Sequence, residues 1–281
     1  MAEDEELITE LEAKAKILRR DVIEMIKACG CGWVGGSFSQ ADIIAALMFH
    51  HMRHDPANPQ WQDRDRLIVS KAHCAETVYA ALGEAGYFSK KEYQYYGKFG
   101  ATLQPHTKRR VPGVEYSGGS LGQGLSFALG EALAARINTR KDESGRTAPR
   151  FRVFCIIGDG ECDEGQIWEA VMAAAQYKVD NLVAIVDHNK FQSSGKVTEK
   201  IDLEPLAEKW QAFRWDVTEI DGHDFNQILS ALRRADEVRG KPHVIIAHTI
   251  KGKGVPAFEH KNVHFCQLTD EMYAEAMAAL K

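Results

Sequence analysis

The chain of 281 residues alternates short and long apolar segments, and this pattern predicts an α/β protein. Nearly continuous apolar runs, typical of strands buried on both faces of a parallel sheet, occupy 151–157, 181–186 and 243–248. Apolar residues at helical spacing predict longer elements that include 5–29, 121–137 and 164–178. Glycines within 30–36 are expected to end the first helix, and Ser39 to cap a second over 40–52. We therefore expect a parallel sheet with helices on both faces.

The most informative polar residues lie in the strand–helix–strand segment 151–192. Gly158-Asp159-Gly160 follows its first strand, and Asn189 follows its second strand, thirty positions after Asp159. Both strand ends emerge at the same edge of a parallel sheet, so these side chains can meet there. Carboxylate and amide oxygens suit Mg²⁺, and a turn that leads into a helix offers N–H groups to phosphate. An ordinary crossover with polar strand ends is the alternative, but the spacing favours a metal and phosphate site.

This segment resembles the thiamine-diphosphate motif, and its run GDGECDEGQIWEA is similar to the transketolase family. The resemblance implies the α/β, parallel-sheet thiamine-diphosphate-binding fold, as one domain over 1–281. It implies that thiamine diphosphate contacts Gly158 and Gly160 as well as Asn189. It also implies Mg²⁺, or Ca²⁺ or Mn²⁺ in its place, held by the Asp159 carboxylate, the Asn189 side chain and the main-chain oxygen of Phe191.

Two further segments are similar to transketolases. The segment HDPANPQWQDRDRLIVSKAH implies that His73 contacts the diphosphate, the alternative being a strand-end histidine bonded to backbone. The loop PGVEYSGGSLGQG implies that the thiazolium and pyrimidine rings are lined by Gly119, Ser120 and Leu121. His106 matches a histidine near the family's substrate channel. The resemblance thus implies catalytic roles for His73 and His106.

Two glutamates on the helix after the GDG turn, Glu164 and Glu169, admit two interpretations. A glutamate near a helix N-terminus commonly just complements the helix dipole. The resemblance implies instead that these positions lie at a subunit interface and connect two active sites by hydrogen bonds. We favour this second, catalytic interpretation for Glu164, and hold it less firmly for Glu169.

The chain departs from the family pattern at two substrate-binding positions. Trp33 stands where the family has a histidine in its first glycine-rich loop, and an indole offers one donor and a large apolar face. Near the C-terminus, the run NVHFCQ places Cys266 at a histidine position, with His264 two residues earlier. Trp33, His264 and Cys266 are therefore candidate substrate contacts, and the departures concern the sugar rather than the cofactor.

The family's glutamate that acts on the cofactor's aminopyrimidine ring belongs to a second domain, for which this chain has no room. The resemblance therefore implies the N-terminal subunit of a two-subunit transketolase, active only with a C-terminal subunit that carries the pyrimidine-binding domain. An α₂β₂ heterotetramer is the expected assembly. Its reaction is the transfer of a two-carbon ketol unit from a ketose, phosphorylated or modified as a sulfonated or branched sugar, to an aldose phosphate.

Two other classes of function stay open at this point. One is a subunit of a different thiamine-diphosphate enzyme, of the 2-oxo acid dehydrogenase or deoxyxylulose-phosphate synthase type. The other is a non-catalytic partner-binding module. The segments SKAH, PGVEYSGGSLGQG and DGHD favour transketolase over the first, and the retained metal ligands argue against the second.

Composition and charge narrow the possible binding partners and the expected cellular location. The formal net charge of −5 gives no support for nucleic-acid binding, and no apolar run reaches the roughly 18 residues of a membrane span. The acidic N-terminus lacks the basic and apolar regions of a signal peptide. Six cysteines without metal-binding spacing are typical of reduced thiols, so we expect a cytoplasmic protein.

Overall fold

Five parallel strands form the central sheet of the computed structural model, which describes residues 2–141, 145 and 147–281. Side by side, they are β2 (Arg66–Val69), β5 (Val153–Gly158), β6 (Leu182–His188), β10 (His243–His248) and β9 (Asp216–Asp221). Short antiparallel pairs join β1 (Cys31–Gly32) to β11 (Cys266–Gln267), β3 (Arg140–Lys141) to β4 (Thr147–Ala148), and β7 (Phe191–Gln192) to β8 (Gly195–Lys196).

Helices cover both faces of this sheet. One face packs against a group that comprises α1 (Ala2–Cys29), α2 (Val34–Ser39), α3 (Ala41–Ala46), α4 (Ala75–Ala85), α8 (Phe225–Glu237) and α9 (Asp270–Ala279). The other face packs against α5 (Gln123–Ile137), α6 (Gly165–Gln176) and α7 (Leu206–Ala212). The predicted α/β class with a parallel sheet and helices on both faces is confirmed.

The central strands are apolar throughout because each contributes to two cores. In β5, Phe154 and Ile156 belong to the core under α1 and α4, whereas Cys155 and Ile157 belong to the core under α5 and α6. Every residue of β5 and of β6 is buried. Alternate side chains of a strand point to opposite faces, so burial on both faces requires the continuous apolar run that the sequence shows.

The glycine-rich segment after α1 differs from its prediction. Instead of a simple break, it forms α2, and Ser39 is the last residue of that helix rather than the cap of the next one. The Ser39 hydroxyl lies 2.6 Å from the Asp187 carboxylate, and this tertiary bond overrides the local capping preference. A Cβ on Gly35 would lie 2.0 Å from the carbonyl oxygen of Val263, so close backbone approach requires glycine there. The predicted helix over 40–52 divides into α3 and a π-helical turn, Leu47–His51.

Domain organisation and membrane-spanning helices remain to be considered. The single domain over 1–281 stays a prediction, and residues 1, 142–144 and 146 lie outside the described part. Within the described part, none of the helices combines the length and the apolar character that a membrane crossing requires.

A buried ionic cluster around Asp42 ties the N-terminal helices to the sheet edge. Arg19 of α1 donates two hydrogen bonds to the Asp42 carboxylate, at 2.9 and 2.6 Å. His223 Nε2 accepts from the main-chain N–H of Ile250, so its Nδ1 carries the proton and donates to Asp42 at 2.6 Å. Burial raises the pKa of Asp42, but Arg19 and His223 outweigh burial and lower it to about 2.

Replacing this carboxylate should cost stability in a pH-dependent way. The folded-state pKa of Asp42 lies below its ordinary value of 3.8, so the ionised group stabilises the fold fully above about pH 4. That contribution, about 2 kcal/mol, is lost as the pH falls through about 2. Asp42→Asn should therefore lower the free energy of unfolding in urea by about 2 kcal/mol at pH 7 and by less at pH 3. Glu12→Gln, at an exposed carboxylate of α1, is the control, and a pH-independent difference would contradict the prediction.

Candidate active site

A cavity of about 270 Å³ opens at the carboxyl edge of the sheet. Its polar lining follows the ends of four strands: Lys71 after β2, Asp159 after β5, Asn189 after β6 and Lys251 after β10. Of the residues proposed from the sequence, the lining includes Trp33, His73, His106, Gly119, Leu121, Gly158, Asp159, Gly160, Asn189, Phe191 and His264. The parallel topology therefore brings together residues that are more than two hundred positions apart in the chain.

Asp187 organises the floor of the cavity. It is completely buried, and its carboxylate accepts hydrogen bonds from the side chains of Lys71, Ser39 at 2.6 Å, Asn189 at 2.9 Å and Thr249. Burial raises the pKa of Asp187, but the adjacent Lys71 ammonium outweighs it and holds the pKa below its usual value. One ionised carboxylate thus fixes side chains from α2 and from the ends of β2, β6 and β10.

Asp159 and Asn189 present oxygen atoms to the same part of the cavity. Asp159 Oδ1 accepts from the main-chain N–H of Gly160 at 2.8 Å, and Oδ2 accepts from that of Lys190 at 2.5 Å. Asn189 donates its Nδ2 to Asp187, so its Oδ1 is held as an acceptor, 3.1 Å from the N–H of Phe191. Burial and the neighbouring Asp187 charge raise the pKa of Asp159 to about 7. A cation is the group that would favour its ionised form.

Glu161 braces the turn that carries Asp159. Its carboxylate accepts from Ser70 Oγ, from the N–H of Gly122 at 2.8 Å and from the N–H of Gly158 at 3.0 Å. These donors belong to the end of β2, to the glycine-rich loop before α5 and to the end of β5. Glu161 therefore holds three segments of the cavity wall in one arrangement.

The cavity histidines are neutral groups at ordinary pH. Burial and the Lys71 charge lower the pKa of His73 to about 2, and burial and Lys251 lower that of His264 to about 4. The two rings lie 5.1 Å apart, and the His73 ring is 6.2 Å from Trp33. Burial also lowers the pKa of His106. These histidines can orient a ligand by neutral hydrogen bonds, without adding positive charge.

Besides Glu169, three residues proposed from the sequence do not line this cavity. Ser120 is exposed between two residues of the lining, Gly119 and Leu121. Glu164 is exposed at the start of α6 and makes no capping bond with its side chain. Cys266 lies in β11 and is paired with Gly32, so His264 alone of the two C-terminal candidates reaches the cavity. The roles of these three residues stay predictions.

Sequence reasoning missed four functional-site residues, Lys71, Glu161, Asp187 and Lys251. Two of them carried a readable signal: Asp187 is a charge at the end of an apolar strand, and Lys71 follows the end of another. A buried charge needs a partner of opposite charge, and two opposite charges at neighbouring strand ends can neutralise each other. Glu161 and Lys251 have no comparable signal: the donors to Glu161 come from three separate segments, and the partner of Lys251 comes from a loop whose course the sequence does not specify.

Comparisons with known proteins bear on this site. The family model for the thiamine-diphosphate-binding domain of transketolase matches residues 11–280. The chain is 43% identical over 274 residues, 97% of this chain and 96% of the relative, to the 6-deoxy-6-sulfo-D-fructose transketolase subunit of Clostridium sp. MSTE9. It is 38% identical over 268 residues, 95% and 92% of the two chains, to an apulose-4-phosphate transketolase subunit of Phocaeicola vulgatus. The chain belongs to the transketolase family.

Solved structures agree with this assignment. The transketolase of Campylobacter jejuni superposes with a TM-score of 0.89 at 31% identity, over 96% of this chain and 42% of that one. The transketolase of Leishmania mexicana gives 0.88 at 28% identity, over 96% and 41%. The chain thus spans about two fifths of these transketolases but nearly the whole of the relatives named as subunits. The predicted transketolase subunit is confirmed, and the two alternative classes of function are not favoured.

The buried pair of Lys71 and Asp187 yields a stability prediction. Lys71→Met leaves Asp187 charged and unpaired, which typically costs about 3–5 kcal/mol in the free energy of unfolding. Lys196→Met is the matched control, because Lys196 is exposed and pairs with Glu199 at 3.6 Å; it should cost less than about 1 kcal/mol. Urea unfolding measures both values. Equal losses in the two variants would show that the Lys71–Asp187 pair does not hold the cavity floor.

Proposed function

We propose that this chain is the N-terminal subunit of a two-subunit transketolase that transfers a two-carbon ketol unit from a ketose to an aldose phosphate. The proposal includes thiamine diphosphate, Mg²⁺ and a C-terminal partner subunit with the pyrimidine-binding domain. One observation carries it: the cavity that presents a carboxylate and an amide oxygen is also lined by a buried ammonium group that pairs with no described carboxylate.

That ammonium group belongs to Lys251. It lines the cavity, donates to Asn262 Oδ1 at 3.2 Å, and forms no salt bridge with any described carboxylate. Burial lowers the pKa of Lys251 to about 8, so the group is mainly protonated at neutral pH. Lys71, in contrast, is neutralised by Asp187. A buried cation without a carboxylate partner suits an anionic ligand, and we propose that Lys251 holds the diphosphate.

The oxygen atoms that line the cavity suit a hard divalent cation. We propose as ligands the Asp159 carboxylate, Asn189 Oδ1 and the main-chain oxygen of Phe191. The described residues contain no group of three or more histidine, cysteine, aspartate or glutamate side chains arranged for a metal, so this mixed oxygen set is the candidate. Mg²⁺ completes such a set with phosphate oxygens and water, and Ca²⁺ or Mn²⁺ accepts the same ligands.

Thiamine diphosphate, when bound, supplies the covalent chemistry of ketol transfer. The chain's own residues orient the ligands. Neutral His73 and His264 offer hydrogen bonds within the cavity, and Gly119 and Leu121 form its wall beside the GDG turn. The rings of Trp33 and His106 also line the cavity, with 5.1 Å between their centroids. We propose that the sugar binds against these two rings.

The second half of the active site is proposed to come from the partner. Both relatives named above are called subunits, and this chain spans only about two fifths of the single-chain transketolases. Glu164, which immediately precedes α6, and Glu169 on α6 are both exposed, as contacts between subunits require. We propose an α₂β₂ assembly in the cytoplasm, where the six free thiols would stay reduced.

The metal assignment is tested by Asp159→Asn. The complex of this chain with its partner should bind thiamine diphosphate in the presence of Mg²⁺, as isothermal titration calorimetry can measure. Asp159→Asn removes the only charged ligand in the proposed set, so we expect at least a hundredfold weaker cofactor binding and no ketol transfer. Asp163→Asn, in the same turn but outside the cavity lining, is the control and should retain both. Unchanged cofactor affinity in Asp159→Asn would refute the proposed metal set.

The donor sugar is the second part of the proposal. The names of the two relatives specify 6-deoxy-6-sulfo-D-fructose and apulose 4-phosphate, so one sugar carries a sulfonate and the other a phosphate. We expect the complex to accept a ketose with such an anionic group. A panel with 6-deoxy-6-sulfofructose, apulose 4-phosphate and a pentulose phosphate should give a kcat/KM at least tenfold higher for one donor than for its uncharged analogue. Turnover of none of them, with cofactor bound, would exclude the proposed reaction.

A further inference from the structure

A second buried polar network lies beneath the wall that Trp33 contributes to the cavity. Glu76 of α4 is completely buried. Its Oε1 accepts from the main-chain N–H of Trp33 at 3.1 Å and from the Tyr96 hydroxyl at 2.9 Å, and its Oε2 accepts from Ser37 Oγ at 2.9 Å. The carboxylate therefore joins α4 to the start of α2 and to the segment after the 3₁₀ turn Lys90–Tyr95.

The same network reaches His106. The Tyr96 ring packs edge-on against Tyr79 of α4, with 6.4 Å between the centroids. The Tyr79 hydroxyl donates to the main-chain oxygen of His106 at 3.0 Å. Trp33 and His106 are thus each held through their backbone, and their rings meet edge-on in the cavity at 5.1 Å. The Phe265 ring also packs edge-on against the indole, with 4.8 Å between the centroids.

The donors to Glu76 are not shared with Asp187 or Glu161, although both Glu76 and Asp187 bond to α2, through Ser37 and Ser39. Asp187 fixes Lys71 and Asn189 at the strand ends, where the diphosphate and metal are placed. Glu76 instead fixes the side of the cavity assigned to the sugar. The two sides should therefore respond differently to substitution.

We propose that Glu76 is a positioning residue for sugar selection, which holds Trp33 and His106 as a fixed wall and so sets the KM of the donor ketose but not the affinity for the cofactor. The inference rests on the proposed transketolase function. Without the carboxylate, the Trp33 N–H and the hydroxyls of Ser37 and Tyr96 lack their acceptor. The segment that carries Trp33 then moves to satisfy its N–H, and the wall loses its fixed position.

The kinetic test uses the complex with the partner subunit and its best donor. Glu76→Met keeps the length of the side chain and removes all three acceptor contacts, so we expect the donor KM to rise about tenfold, with kcat within about threefold. The Kd of thiamine diphosphate should stay within about twofold. Glu76→Gln keeps an oxygen for the Trp33 N–H and should restore the KM to within about threefold of the parent value.

The matched control is Glu84→Met. Glu84 lies on the same helix as Glu76, but it pairs with Lys14 and Lys90 at the surface, away from the cavity. Its substitution should leave the donor KM unchanged. Tyr96→Phe removes one of the three donors to Glu76, and should give a smaller rise in KM than Glu76→Met. It also serves as the second variant if Glu76→Met does not fold.

A spectroscopic test does not depend on turnover. The contribution of Trp33 to the fluorescence is obtained as the difference between each protein and its Trp33→Phe counterpart. Glu76→Met should make this contribution at least twofold more accessible to acrylamide, and Glu84→Met should not. If the parent complex turns over no ketose, the proposed function fails, and quenching alone decides the positioning role. A lower melting temperature with unchanged KM and unchanged quenching, or parallel rises in donor KM and cofactor Kd, would overturn the inference.

Discussion

The cofactor side of this protein depends on the ionised Asp187 carboxylate. It lies at the end of a completely buried strand, and the Lys71 ammonium is its counter-ion. Burying two charges is costly, and the pair is tolerable only because the remaining oxygen positions accept further hydrogen bonds from Ser39, Asn189 and Thr249. The requirement to satisfy Asp187 therefore orients Asn189, which exposes the opposite atom of its amide, Oδ1, as a proposed metal ligand.

The charged groups of the cavity differ in whether a neighbouring group of opposite charge neutralises them. Asp187 and Lys71 neutralise each other, whereas Asp159 has its pKa raised to about 7 by burial and by Asp187. Lys251 has its pKa lowered to about 8 by burial. One acidic and one basic group are thus both held near the point of losing their charge. A divalent cation beside Asp159 and a diphosphate beside Lys251 would each favour the charged form of its neighbour.

More could be predicted from the sequence about the part of the cavity proposed for the cofactor, around Asp159 and Asn189, than about the part proposed for the sugar, around Trp33. The apolar runs predicted β5, β6 and β10, and the parallel topology required Asp159 and Asn189 to meet, as they do. The prediction for Ser39 was wrong because a capping motif is a local preference, and the bond to Asp187 comes from 148 positions away. Lys251 and Glu76 escaped prediction for the same reason: their roles arise from loops and helices that meet only in the folded chain.

The separation of the two networks has a consequence for how such a site changes its substrate. Trp33 contacts the rest of the cavity through rings, His106 at 5.1 Å and Phe265 at 4.8 Å, and is anchored by a main-chain bond to Glu76. Because that anchor is the peptide N–H, another side chain at position 33 can keep it. The side chain at position 33 can therefore vary while Asp187 and Glu161 continue to hold the strand ends around Asp159 and Asn189. If the proposed sugar side is correct, a fixed backbone with an exchangeable side chain would allow one cofactor site to accept sugars with different terminal groups.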